Sequence, residues 1–143
     1  MSIKIINKDD ETIIKNIISL EKEIFKESSY SEKSIREMVE SNLYLILVDW
    51  DKELKGYIIF HDSYDLFEIM KIAVSENYRG MDIGKKLLEK YFQLDEKNIF
   101  LEVRESNIRA QKFYKKMKFQ IVGKRKKYYS NGETAILMLL ERN

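Results

Sequence analysis

The sequence predicts an α+β fold, a mixed sheet with helices on its faces, and three observations lead there. β-rich runs bounded by turn residues recur along the whole chain. Between them, apolar residues switch to the helical spacing of three and four. The order of the pieces, β-α-α-β-β-β-α-β-α-β-β, has three consecutive strands and a closing pair, with helices set between other strands.

Each element has a local reason. "IKII" at 3–6 reads as a short strand. Ile13, Ile14, Ile17, Ile18, Ile24 and Phe25 then form one helical stripe, with Asp9 or Asp10 as the cap. Ser31 is placed to cap a second helix carrying Ile35, Met38 and Val39 on one face. "NLYLILVD" at 42–49 and the run from Gly56 read as a hairpin about the turn "WDKELKG", and 65–75 is the next strand. From Asp82 the period changes, and Ile83, Leu87, Leu88, Tyr91 and Phe92 share a helix face. "NIFLEVR" at 98–104 is a strand, and "SNIRAQKFYKKM" is a helix capped by Ser106 or Asn107. "FQIVGKRKKYYS" and "ETAILMLLER" are two strands joined by the turn signal "SNG". No linker, repeat or low-complexity segment interrupts the 143 residues, a length that fits one domain.

Composition excludes several classes. With 26 basic against 24 acidic side chains, the net charge of +2 does not suggest a dedicated nucleic-acid binder, so no direct nucleic-acid partner is expected. The absence of cysteine rules out a disulfide framework, a thiolate metal site and a cysteine nucleophile. A single histidine, His61, rules out a histidine-rich metal site, and no metal is expected. No apolar run is long enough to span a bilayer, and "MSIKIINKDD" lacks the apolar core of a signal peptide. A cytoplasmic protein without membrane contact is the expectation.

The chain has only five glycines and no proline, and two of the glycines fall in "YRGMDIGKKLLEKY" at 78–91. A strand that runs through a turn into a helix offers free backbone N–H groups at the positive end of the helix dipole. Arg79, Lys85 and Lys86 add charge there, so an anion such as phosphate is the natural guest. The spacing matches neither Gly-x-x-x-x-Gly-Lys-Ser/Thr nor Gly-x-Gly-x-x-Gly. Taken alone, the stretch reads equally as an ordinary turn beside a solvated lysine face.

Arg79-Gly80-Met81-Asp82-Ile83-Gly84, preceded by "IAVSENY", resembles the cofactor motif Arg/Gln-x-x-Gly-x-Gly/Ala of the GNAT N-acetyltransferases. "LEVRESNIRAQKFYKKMKF" at 101–119 is similar to that family's second cofactor motif, and "KKYYSNGETAILMLL" to the closing hairpin of its RimI-like branch, which acetylates protein N-termini. The resemblance covers nearly the whole chain and implies the GNAT acyl-CoA N-acyltransferase fold, a central, mostly antiparallel sheet with helices on both faces, as a single domain over 1–143. It also implies acetyl-CoA as cosubstrate and transfer of its acetyl group to a primary amine. Three residues depart from the pattern: Asp82 for the first motif glycine, Lys118 for the glycine that ends the last helix, and Lys71 where the branch often has Asn. Asp82 keeps its own N–H and suits a helix start, so weakened rather than abolished cofactor binding is expected.

Residue by residue, the resemblance assigns the pyrophosphate to Arg79, Gly80, Ile83, Gly84 and Lys85. It assigns the pantetheine arm to the backbone of Ile72, Ala73 and Val74, as an added strand, with Asn107 and Tyr114 on the cofactor as well. Glu102 becomes the general base, with Glu68 as substitute if Glu102 faces solvent, and Tyr114 the acid that protonates the departing thiolate. Tyr128 and Tyr129 become acceptor-holding residues; on a strand they would face opposite sides, so at most one of them would point into the site. An α-amine, with a pKa of roughly 7.7–8, is more often neutral near pH 7 than a lysine, near 10.4. The expected acceptor is therefore a protein N-terminus, with a small-subunit ribosomal protein as the family's example. Acetylation of a small amine or a lysine is the alternative reaction, and a coenzyme A-binding module without turnover the alternative class. The basic run "GKRKK" at 123–127 reads as a solvated strand face, or as a contact for an acidic acceptor or ribosomal RNA. The expected state is a monomer or weak dimer.

Overall fold

The computed structural model describes residues 2–142. In chain order the elements are β1 (Ile3–Ile5), α1 (Glu11–Phe25), α2 (Glu32–Glu40), β2 (Tyr44–Trp50), β3 (Leu54–Asp62), β4 (Leu66–Val74), α3 (Ile83–Leu94), β5 (Asn98–Arg104), α4 (Ile108–Lys116), β6 (Gln120–Arg125) and β7 (Ala135–Leu140). Short 3-10 turns at Lys26–Ser28 and Glu76–Tyr78, unmarked by any sequence periodicity, follow α1 and β4. The strands are ordered β1-β2-β3-β4-β5-β7-β6. β4 and β5 are parallel, and the β1–β2, β2–β3, β5–β7 and β6–β7 pairs are antiparallel, so the sheet is mixed and mostly antiparallel, as the resemblance implies.

The chain forms two compact units, Met1–Asp62 with Met70–Asp95, and Ser63–Ile69 with Glu96–Asn143. In the first unit, β2 and β3 are covered on both faces, which is why their interiors read as continuous apolar runs rather than alternating ones. One face packs Ile46, Val48, Tyr57 and Ile59 against Ile14 and Ile17 of α1 and Ile35 of α2. Burying each such side chain is worth roughly 1.5–3 kcal/mol. On the other face Phe60 stacks on Tyr91 of α3, with ring centroids 4.7 Å apart. Gly56 of β3 is where this unit is tightest: a Cβ there would lie 2.7 Å from the Ala73 carbonyl oxygen and 2.9 Å from Ile83 Cγ2.

In the second unit β5 alternates strictly, with Ile99, Leu101 and Val103 buried and its other residues half-buried. Leu101 faces Met138 of β7 in register. α4 ends in a Schellman motif, with Lys118 N–H bonded to Lys115 O at 3.0 Å and Phe119 N–H to Tyr114 O at 2.9 Å. Phe119 packs its ring against Tyr114, centroids 5.3 Å apart, which is the apolar contact that accompanies this motif.

Caps differ from the sequence expectation in two places. Ser31 caps α2 by accepting from Ser34 N–H, as expected. Asp10 precedes α1 but makes no side-chain cap; its carboxylate instead accepts from Asn7 N–H at 2.9 Å and Lys4 Nζ at 3.2 Å. Asp82, at φ 60° and ψ 27°, likewise gives α3 no side-chain cap, because a left-handed residue does not present its carboxylate to the first turn.

Two substitutions test this packing. Gly56→Ala should lower stability by roughly 1–3 kcal/mol in urea denaturation, because one of the clashing atoms is backbone and cannot move aside. Lys118 sits at φ 79°, the conformation glycine adopts without a Cβ penalty. Lys118→Gly should therefore raise the urea midpoint, by up to about 1 kcal/mol of stability.

Candidate active site

Each unit carries one set of the residues that the sequence nominated. The first holds the strand–turn–helix. The parallel register of β4 with β5 covers Leu66–Ile69, and Ile72, Ala73 and Val74 lie beyond its end. Arg79 turns back and donates from Nε to the Val74 carbonyl at 3.4 Å, tying the turn to the end of β4. Gly80 has φ 82°, and a Cβ there would meet nothing within 4 Å, so this corner of the backbone is open on its outer side. The first intrahelical bond of α3 runs from Lys86 N–H to Asp82 O at 3.0 Å. The N–H groups of Ile83, Gly84 and Lys85 are thus the free donors of that helix start. Ile83 and Gly84 are buried, while Arg79, Asp82 and Lys85 are exposed. A pyrophosphate fits this donor set; the Asp82 carboxylate is an opposing charge, on a residue with left-handed backbone.

The second unit holds the predicted chemistry. Glu68 of β4 is opposite Phe100 of β5, and Glu102 is two residues on, so Glu68, Phe100, Glu102 and Arg104 share one sheet face. Arg125 of β6 is opposite Ala135, which is itself opposite Arg104, and joins the same face. Glu102 is only 16% exposed, and its Oε2 is a buried oxygen without a hydrogen-bond partner. Arg125 Nε lies 3.6 Å from it, close enough for an ion pair and too far for a hydrogen bond. Glu102 thus does not face solvent, which was the condition under which Glu68 was expected to substitute for it.

Tyr114 is buried on α4, with its ring edge-on to Phe113 at 5.2 Å. Burial pushes its phenol well above the ordinary tyrosine range, so it stays in its proton-bearing form. Asn107 caps α4 by accepting from Ala110 N–H at 3.1 Å, which commits its Oδ1 to the helix start.

Tyr128 and Tyr129 correct an expectation. They follow β6 in an irregular turn rather than lying on a strand, so the opposite-sides argument does not apply. Their rings meet edge to face, 5.2 Å apart. Arg125 lies over the Tyr128 ring at 5.4 Å and Arg104 over the Tyr129 ring at 4.0 Å, so both tyrosines are gathered by arginines of the Glu102 face. Arg104 escaped sequence reading, and Arg125 entered it only as part of the basic run at 123–127. The signal was there: Arg104 is two residues from Glu102 on the same strand, and so on the same side of it.

A second polar group was also missed. Glu21 of α1 is fully buried and accepts from Tyr57 OH through Oε1, and from Tyr30 N–H at 2.8 Å and Lys71 Nζ at 2.6 Å through Oε2. It continues the stripe of Ile14, Ile17 and Ile18, where a carboxylate at an apolar position was the clue. Among the described residues, no group of three or more His, Asp or Glu side chains is arranged to hold a metal. No helix among them is long and apolar enough to cross a membrane.

The fold and these two sets of residues are those of an acyltransferase. The profile of the Acetyltransferase (GNAT) family matches residues 12–119, and the chain belongs to that family: it is an acetyl-CoA-dependent N-acetyltransferase. It is 32% identical over 136 residues to a candidate [ribosomal protein bS18]-alanine N-acetyltransferase of Bacillus subtilis, covering 91% of this chain and 90% of that one. An N-alpha-acetyltransferase of Sulfurisphaera tokodaii is 31% identical over 121 residues, 73% of this chain and 72% of its own. The crystal structure of the ribosomal-protein-S18-alanine N-acetyltransferase of Escherichia coli superposes with a TM-score of 0.84 at 26% identity, covering 99% of this chain and 93% of that one.

The turn that carries the tyrosines is closed by Glu133, which accepts from Ser106 N–H at 2.7 Å and pairs with Arg104 at 3.3 Å. Hydrogen bonds from Ser106 first, and then Arg104, hold the Glu133 carboxyl below the ordinary carboxylate range. A depressed folded value means that its contribution is complete above the ordinary range and is lost as pH falls through the depressed one. Glu133→Gln should therefore flatten the fall in urea midpoint between about pH 5 and pH 3, with less effect near pH 7.

Proposed function

We propose that this chain acetylates the α-amine of a protein N-terminus, with an N-terminal alanine of a small-subunit ribosomal protein as the first acceptor to test. The observation that carries the reading is the buried, unbonded oxygen of Glu102, on a sheet face whose arginines gather two tyrosines. Similarity to two bS18- or S18-alanine N-acetyltransferases over nine-tenths or more of each chain supports the choice of acceptor. Such an enzyme would work in the cytoplasm, with the whole chain acting as one catalytic domain.

Acetyl-CoA supplies an acetyl group as a thioester. Arg79, Gly80, Ile83, Gly84 and Lys85 hold its pyrophosphate through N–H groups and charge, and the backbone of Ile72, Ala73 and Val74 takes its arm as an added strand. Asn107 Nδ2 offers a further donor. Glu102 accepts a proton from the acceptor amine, directly or through water, and the Tyr114 hydroxyl gives one to the leaving thiolate. Tyr128 and Tyr129 hold the acceptor. A coenzyme A-binding module without turnover is the weaker reading, because Asp82 and Lys118, which stand where the motif has glycine, both adopt the left-handed backbone that glycine favours.

Thiol release from acetyl-CoA tests the reading, with an alanine-initiated peptide, a lysine peptide with a blocked N-terminus, and spermidine offered separately. Release with the alanine peptide is expected, and Glu102→Gln should lower it by about 10²–10⁴-fold while leaving acetyl-CoA binding intact. Full turnover by that variant would remove Glu102 from the base role. Release with spermidine or the lysine peptide alone would move the acceptor to another class.

A further inference from the structure

We propose that Lys71 is a self-acceptor, its Nζ taking an acetyl group from acetyl-CoA with Glu21 as the proton acceptor. The inference rests on the cofactor placement just given. A pyrophosphate on residues 79–85 lies beyond Val74, so an arm pairing with the strand runs back from Val74 to Ile72. Its thioester end then arrives beside residue 71. That residue, where the family branch often has Asn, is here a primary amine.

The amine is held by polar and aromatic contacts within one unit. Lys71 Nζ donates to Glu21 Oε2 at 2.6 Å and to the Ser28 carbonyl at 3.0 Å. The ring of Phe25 lies 3.7 Å from it and that of Tyr30 4.5 Å. An ammonium is no nucleophile until it loses a proton, and direct contact with a carboxylate is the arrangement that activates one. Glu21 has two further donors, Tyr57 OH and Tyr30 N–H, to hold it in place through the transfer. The step balances. One ammonium proton passes to Glu21, and the nitrogen lone pair forms the bond to the acetyl carbon. The carbon–sulfur bond breaks, and the thiolate leaves with a second proton. The product is a neutral amide with one N–H remaining, between two aromatic faces suited to its methyl group.

Directed transfer can be told from chemical acetylation by exposure. The Lys71 side chain is 15% exposed, whereas Lys112, Lys115, Lys116, Lys126 and Lys127 all lie open to solvent. Uncatalysed acetylation would label those first. Modification also removes the cation opposite a fully buried carboxylate and one of the ties from β4 to the connection between α1 and α2. A readout separate from turnover follows: the labelled protein should be less stable, and Lys71→Gln should reproduce the loss without cofactor.

The experiment incubates the full chain with isotopically labelled acetyl-CoA and no acceptor, then maps the label by peptide mass. Binding of acetyl-CoA by calorimetry and transfer to the alanine peptide are measured alongside. The expected result is one acetyl group per chain at Lys71, ahead of the exposed lysines, with a lowered urea midpoint. Lys71→Arg, which keeps the cation, should abolish that label, and Glu21→Gln should slow it about 100-fold or more. Label spread over exposed lysines with Lys71 spared overturns the inference. So does absence of label while the alanine peptide is acetylated, which leaves the reading of function standing. Absence of label together with absence of acetyl-CoA binding overturns both.

Discussion

The parallel pairing of β4 with β5 is the constraint on which the rest depends. Parallel neighbours cannot be joined by a tight turn; the chain must cross over through a dozen or more residues, commonly a helix. α3 is that crossover, so a helix start has to follow closely on the end of β4. Free N–H groups, a positive dipole end and a strand terminus are thereby brought into one short stretch of chain. The register stops at Ile69 opposite Leu101, and the rest of β4 continues past its partner. A strand with a spare edge that leads into a helix start suits a long carrier with an anionic head. Gly56 belongs to the same constraint, since only a residue without a Cβ lets β3 lie this close to Ala73 and to the first residue of α3.

What the turn before α3 and the end of α4 require is a backbone conformation, and glycine is one way of meeting it. Asp82 and Lys118 meet it at φ 60° and 79°. Aspartate tolerates the left-handed region better than most residues because its short polar side chain can bond locally. Lysine has no such relief. At Lys118 the conformation is imposed by the two Schellman hydrogen bonds and by Phe119 packed on Tyr114. The residue that departs from the motif is therefore held by the same contact that fixes the proposed acid. A sequence motif read as glycine or not glycine misses this, because the forces that choose φ come from the next residue's burial.

Elements such as α1, α3 and β5 were legible because periodicity reports apolar burial, and each of these buries one regular set of apolar residues. β6 is shorter than its sequence suggests because the tyrosines after it look β-like; the ladder ends at Arg125, and arginine–ring contacts take over. Of the candidate site, the strand–turn–helix was legible as local order. The surroundings of Glu102 were not, since Arg125 lies 23 positions away and only the register of β5, β7 and β6 brings it near. Glu21 was hidden for a related reason. A charged residue on an apolar stripe reads as a gap in the pattern, and its partners Tyr57 and Lys71 come from distant strands.

Glu21 and Glu102 each have a basic partner, and the two pairs differ in a way that bears on the roles proposed for them. Glu21 is fully buried, and a buried charge is tolerable only when paired and hydrogen-bonded. It has three donors on two oxygens, one of them a lysine at 2.6 Å. Any proton it takes must come from that set, and the lysine is the only member with a positive charge to lose. Glu102 is the opposite case: its cation stands off at 3.6 Å, more than half exposed, and one oxygen has no donor. Leaving a buried acceptor unbonded costs about 1–3 kcal/mol, a cost that an incoming amine would relieve by donating to it. A carboxylate already satisfied by its own fold suits the resident amine proposed for Glu21, and one that the fold leaves unsatisfied suits the external amine proposed for Glu102.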